Sequence, residues 1–178
     1  MNCASAPAPP IIVREAPRHV YAVAIGSNRR HGVHGSPAAV VRAAVDALAG
    51  TQAIELFDAA PAFPSAAIGP SRRRFANSAV LLLSPLDPPA LLAALKAIER
   101  AFGRRGGQRW GARVLDLDII LWSGGVWASR DLNIPHPAWQ DRAFVVSPLA
   151  AIAPGWRDPK HLLRVRHHYH RLTRSRPS

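Results

Sequence analysis

Strand-sized apolar runs interleaved with two proline-capped helices, in the order β-α-β-β-α-β, predict an α+β ferredoxin-like sandwich. The expected form is an antiparallel sheet with helices packed on it, plus a C-terminal appendage. Three features carry that expectation. Ser36-Pro37 and Asp87-Pro88 each set a capping side chain before a proline at the first helical position. Leu91, Leu95, Ile98 and Phe102 recur at i, i+4, i+7 and i+11, a single helix face. The remaining apolar runs are too short for helices and are cut by glycine and proline.

The elements follow in order. Val20–Ile25 is a buried strand, turned by Gly26-Ser27-Asn28. Residues 37–49 form a helix that Gly50 stops, and Ile54–Ala60 is a strand. Pro61, Pro64, Gly69 and Pro70 make 61–74 a loop without regular structure, closed by Arg72-Arg73-Arg74. Phe75–Leu83 is a strand, and Asp87 opens the second helix, which Gly103 ends. A basic, glycine-containing segment spans 104–113, and Leu115–Trp122 is a strand. Gly124-Gly125 is a turn, 130–137 a loop, and Ala138–Arg142 a short helical turn. The apolar run Phe144–Leu149 completes the domain, and the pattern fades after Pro154.

The chain has 178 residues, 48% of them hydrophobic, which suits one globular domain with a real core. No apolar run approaches a membrane span, and MNCASAPAPP lacks the apolar stretch of a secretory signal. Cys3 is the single cysteine, so neither a disulfide framework nor a cysteine-built zinc site is expected. A cytoplasmic protein is the expectation. Residues 1–18, with four alanines and four prolines, read as a disordered leader, 19–160 as the functional domain, and 161–178 as a basic tail. That tail holds five arginines, four histidines and no acid. The net charge of +12 would suit a polyanion-binding module. Yet only Lys96 and Lys160 among the 23 basic residues are lysines, so a chain-wide bias toward arginine explains the charge equally well.

The most informative stretch is 104–118. Asp116 and Asp118 share one strand face, with Leu115, Leu117 and Ile119 on the other. Paired carboxylates repel unless a positive charge lies between them, and magnesium commonly takes one or two carboxylates plus substrate phosphates. Alone, such a pair is more often a solvated strand end with arginine partners. Here Arg104, Arg105, Arg109 and Arg113, with Gly106 and Gly107, precede it. Arginine forks beside a metal site are the equipment of phosphoryl transfer. Gly26 permits close approach of a substrate or a strand. No dinucleotide-binding or P-loop pattern occurs. Phe75 and Asn77 share a strand face and suit a planar heterocycle, the amide reading its polar edge. His136 lies rigidly between Pro135 and Pro137, and Phe144 is either a core residue or a stacking ring.

Taken together these motifs resemble the 6-hydroxymethyl-7,8-dihydropterin pyrophosphokinase family of folate biosynthesis. The resemblance rests on Arg109-Trp110-Gly111-Ala112-Arg113-Val114-Leu115-Asp116-Leu117-Asp118-Ile119, Ala24-Ile25-Gly26-Ser27-Asn28 and Phe75-Ala76-Asn77-Ser78-Ala79-Val80. Pro135-His136-Pro137 with Arg142-Ala143-Phe144-Val145-Val146, Pro148-Leu149 and Ile152-Ala153-Pro154 extend it over residues 20–160. It implies pyrophosphoryl transfer from ATP to the pterin hydroxymethyl group, releasing AMP, with two magnesium ions on Asp116 and Asp118. It implies that Arg104, Arg109 and Arg113 face the triphosphate, with Trp110 in a closing loop. His136 and Arg142 would contact ATP phosphates, and Glu99 would belong to the ATP site. Asn77 would bond the pterin, Phe75 and Phe144 would line its pocket, and Ser65, Ile68 and Gly69 would supply mainly backbone contacts. Arg104, Arg113, Asp116 and Asp118 would form the catalytic set.

This chain departs from the family pattern at three points. Ser65-Ala66-Ala67-Ile68-Gly69 lacks the family's proline, the arginine segment is a residue shorter than in some members, and Lys96 stands where glutamine is common. The resemblance predicts a monomer whose partners are its two small-molecule substrates. The alternative, a nucleic-acid-binding module on the same fold, accounts for the charge but not for Asp116, Asp118, Asn77 or Phe144.

Overall fold

Strand β1 (His19–Ser27) alternates its side chains between two cores. Tyr21, Val23 and Ile25 enter one, while Ala22 and Ala24 floor the other. The structure, a computed structural model, describes residues 17–65, 75–103 and 114–174. With β2 (Glu55–Ala59), β4 (Phe75–Ser84) and β5 (Asp116–Trp122), the sheet order is β2-β4-β1-β5, antiparallel throughout. Helices α1 (Pro37–Ala49) and α2 (Pro88–Ala101) cover the face of Tyr21, Val23 and Ile25. This is the expected ferredoxin-like arrangement.

Both caps form as the sequence requires. Ser36 Oγ accepts from the Ala39 N–H at 3.3 Å, and Asp87 Oδ1 accepts from the Ala90 N–H at 2.9 Å. Leu91, Leu95, Ile98 and Phe102 are all buried in the first core. Gly103 follows with φ +81°, a backbone shape that glycine adopts without strain. Tyr21 donates its hydroxyl to Leu86 O at 2.7 Å. Burial, and then the charge of Asp87, push this phenol up to about 12, so it stays a donor.

Four segments differ from the sequence expectation. Within 61–74, Phe63–Ser65 forms a short strand, β3, along the same side of β4 as β2. Pro64 is tolerated there because β3 lies at the sheet edge. Within 130–137, Asn133–Ile134 (β7) pairs with Trp127–Ala128 (β6). The run Phe144–Leu149 belongs to a helix, α3 (Ala143–Ile152), with Val145, Val146, Pro148 and Leu149 buried. It packs on Ala22, Ala79, Leu81 and Ile120, so the sheet is covered on both faces.

The expected tail also carries a helix, α4 (Val165–Thr173). Val165, His168, Tyr169 and Leu172 recur at i, i+3, i+4 and i+7 and join the second core or pack beside it. Arg166, His167, His170 and Arg171 are exposed. No described helix is long and apolar enough to cross a membrane.

Asp158, fully buried, ties the turn that leads into α4. Its carboxylate accepts from the Lys160 N–H at 2.8 Å and from His161 Nδ1 at 2.7 Å. His168 lies 1% exposed beside it, with Nε2 at 3.8 Å from Asp158 Oδ2 and the ring 4.9 Å from that of Trp139, edge-on. Burial first, then the charge of Arg171, hold His168 below the ordinary histidine range, with Asp158 and Asp141 opposing and His161 adding slightly.

The folded state therefore resists a proton that the unfolded chain accepts near its ordinary pKa of about 6.5. Stability is complete above that value and falls as pH drops toward the folded pKa. The urea midpoint should decrease between about pH 7.5 and about pH 5.5, and His168→Phe should flatten the decrease. An unchanged slope in the variant would remove His168 from the account.

Candidate active site

Three strands set two rows across one sheet face. Gly26 of β1 pairs with Asn77 of β4 on one side and Asp116 of β5 on the other. In the next row Ala24 pairs with Ala79 and Asp118. Neighbouring strands lie about 4.8 Å apart, so Asn77 and Asp116 stand about 10 Å apart across a floor of small residues. Asn77, Gly26, Asp116 and Asp118 line one cleft with Ile120, Arg142 and Phe144. A Cβ on Gly26 would lie 3.4 Å from Asn77 Oδ1, so glycine keeps the gap between amide and carboxylates open.

Core packing behind the carboxylates holds them in place. Leu117 and Ile119 are buried in the first core, which turns Asp116 and Asp118 to the opposite, half-buried face. The register then shifts: Val23 is opposite Ile119 and Ala22 opposite Leu121, leaving Ile120 as an extra residue. Ile120 and Leu121 both enter the second core, and Ile120 reaches the cleft. Nothing in the sequence singled out Ile120, because a bulge leaves no mark in a two-residue pattern.

Arg142 precedes α3, and Phe144 lies in its first turn. The Arg142 carbonyl accepts from the Val145 and Val146 N–H groups, each at 2.9 Å. The start of α3 thus presents a guanidinium and an aromatic ring to the same cleft as the two aspartates. A cation beside paired carboxylates, at a helix start, favours an anionic ligand with its own metal.

The structure brings together Asn77, Asp116, Asp118, Arg142 and Phe144 of the residues chosen from sequence. Phe75 shares the strand face of Asn77 and is half-buried, pairing with Ser65 at the start of β4. His136 stands just outside the lining. Its N–H donates to Ile120 O at 3.0 Å, and its Nδ1 donates to Pro137 O at 2.8 Å. Glu99 is fully buried and does not line the cleft. Its Oε1 accepts from the Leu117 N–H at 2.8 Å and pairs with Lys96 Nζ at 2.8 Å. Arg104, Arg109, Trp110, Arg113, Ile68 and Gly69 lie outside the described residues.

The donor set fits magnesium. Carboxylate oxygens are hard ligands, and no group of three or more His, Cys, Asp or Glu occurs among the described residues. Two carboxylates leave the other positions to phosphate and water, the balance magnesium prefers.

Residues 22–154 match the family described as 7,8-dihydro-6-hydroxymethylpterin-pyrophosphokinase (HPPK). The chain belongs to this family. A 2-amino-4-hydroxy-6-hydroxymethyldihydropteridine pyrophosphokinase of Synechocystis is 42% identical over 120 residues, 67% of this chain and 62% of that protein. The pyrophosphokinase of Pseudomonas aeruginosa is 40% identical over 143 residues, 79% of this chain and 85% of its own length. Among solved structures, an HPPK-DHPS triple mutant of Plasmodium falciparum superposes with TM-score 0.66 at 12% identity, over 90% of this chain and 45% of that one. That likeness establishes the fold. The matched HPPK region runs from β1 past α3 and holds every cleft residue named above.

Proposed function

We propose that this HPPK chain transfers a pyrophosphoryl group from ATP to the hydroxymethyl group of 6-hydroxymethyl-7,8-dihydropterin in folate synthesis. The observation that carries the reading is the placement of Asn77 opposite Asp116 and Asp118 across Gly26 on one cleft face. An amide with both a donor and an acceptor suits the polar edge of the pterin. The carboxylates, about 10 Å away, suit a metal-bound polyphosphate. The hydroxymethyl carbon joins the two halves.

Asn77 fixes the ring's orientation, and Phe144, with Phe75 on the same face, supplies its apolar walls. Ser65, Ile68 and Gly69 complete the pterin side. Asp116 and Asp118 would hold two magnesium ions, which when bound would neutralise the triphosphate. Arg142 and His136 meet phosphate oxygens, as do Arg104, Arg109 and Arg113 on the segment between α2 and β5, with Trp110 beside them. The pterin hydroxyl oxygen bonds to the β-phosphorus, the bond from that phosphorus to the oxygen bridging it to the α-phosphorus breaks, AMP leaves with that oxygen, and the hydroxyl proton is released to solvent. Such a transfer needs positioning and charge neutralisation more than covalent help from the protein.

The catalytic unit is 19–160, with α4 packed on it, and 1–18 is a leader. Both sheet faces are covered by the chain's own helices, which supports a monomer. We place it in the cytoplasm. The polyanion reading accounts for the outward basic face of α4 but not for the cleft.

Incubation with ATP, magnesium and the pterin should yield AMP only when all three are present. Asp116→Ala and Asp118→Ala should each lower turnover by about a thousandfold or more with the unfolding midpoint nearly unchanged. Near-normal turnover in both would remove the metal site. Asn77→Ala should raise the pterin KM about tenfold, more than the ATP KM. Gly26→Val, which crowds Asn77, should do the same while remaining folded. Equal losses for both substrates would count against the assigned pterin side.

A further inference from the structure

We infer that Glu99 is a positioning residue of the carboxylate site: by clamping the free edge of β5 at Leu117, it fixes Asp116 and Asp118 on the cleft face. The inference rests on the proposed reading only for what the aspartates hold.

β5 is the end strand of the sheet, paired on one side with β1. Asp116 and Asp118 are in register with Gly26 and Ala24. Along an antiparallel ladder every second residue turns its amide away from the partner strand, and the bond to α2 puts the Leu117 N–H among these. An outward edge amide ordinarily bonds water or another strand. The Leu117 N–H instead donates to Glu99 Oε1 at 2.8 Å, and the Glu99 side chain is fully buried. A buried carboxylate is costly unless it is paired, and Lys96 Nζ meets the same oxygen at 2.8 Å.

The location gives this bond its consequence. A slip of one residue in β5 would turn Leu117 to the cleft and both aspartates into the apolar core. The clamp sits on the one residue between them. It comes from α2, an element anchored in the first core by Leu95 and Ile98, so the strand edge inherits the helix's rigidity. A charged acceptor also bonds an amide more strongly than a neutral one.

The test begins with the unaltered protein. Amide exchange at Leu117 should fall in the slowest class, as at Asp118; exchange as fast as in exposed segments would overturn the clamp. Mn2+ binding in the presence of a non-hydrolysable ATP analogue is then followed by electron paramagnetic resonance, with Asp118→Ala as the zero level. Glu99→Leu should weaken Mn2+ binding about tenfold and speed Leu117 exchange. Glu99→Gln, which keeps an acceptor oxygen, should remain close to the unaltered protein in both.

A folded Glu99→Leu with unchanged Mn2+ affinity would overturn the proposal. So would a Gln variant as impaired as the Leu variant, since that would make the charge, not the clamp, the active feature. If Glu99→Leu does not fold, Leu117 exchange and the Gln variant decide. Mn2+ binding that follows Glu99 in a protein making no AMP would sink the transfer reading and keep the clamp.

Discussion

The two-residue alternation of β1 against its neighbours is the constraint on which the molecule depends. Tyr21, Val23 and Ile25 fill the space under α1 and α2, and their burial fixes which way every intervening residue points. Those intervening residues are Ala22, Ala24 and Gly26, the smallest side chains available. Their size lets α3 approach closely at Ala22 and leaves a cleft at Gly26. Packing on one face therefore dictates chemistry on the other. Asn77 and Asp116 face each other because their neighbours Ala76 and Leu117 are held in the first core.

A sheet buried on both faces must also place its polar groups with care, because an unpaired one costs more than a hydrogen bond gains. Ser78 Oγ donates to Ala60 O at 2.6 Å and Ser84 Oγ donates to Ala53 O at 2.6 Å, tying β4 to the segments flanking β2. Asp158 spends its oxygens on a turn, and Glu99 bonds a strand edge through Oε1. In each case a buried polar side chain stands where backbone lacks a ladder partner. The polar core residues thus continue the work of the sheet where the sheet stops.

How much of this was legible depends on the kind of signal. Ser36-Pro37, Asp87-Pro88 and the Leu91–Phe102 stripe reported local chemistry, and their helices formed as read. The pairing of Asp116 with Asp118 on one face followed from the strand period alone. The side-by-side placement of Asn77, Gly26 and Asp116 is a fact of register between strands far apart in sequence, which no local pattern contains. The bulge at Ile120 is equally non-local. In the sequence α3 is only an apolar run, because it is apolar on nearly every side and lacks a polar stripe to show its period. α4 was hidden because two residues on its inward stripe are His168 and Tyr169, and the basic residues around them gave the segment the look of a tail. Glu99 stands out in the sequence only through the family resemblance, and its bond to the Leu117 N–H is invisible there, since sequence order does not tell which strand a helix end meets.

The bond between Glu99 and Leu117 has a second consequence, for the segment between them. Glu99 lies near the end of α2 and Leu117 near the start of β5, so the contact brings together points 18 positions apart in the chain. Phe102 and Leu115, the nearest buried residues on either side, sit in the same core. In the sequence, Arg104, Arg109 and Arg113 lie between these two anchored points. Closing such a loop costs entropy that grows only slowly with its length. The base of the loop is set by buried contacts already needed for the fold, so little of that cost falls on ligand binding. A transfer reaction driven by positioning demands a rigid floor that sets the distance between the two substrates, and buried contacts at the start of β5 hold that floor in place.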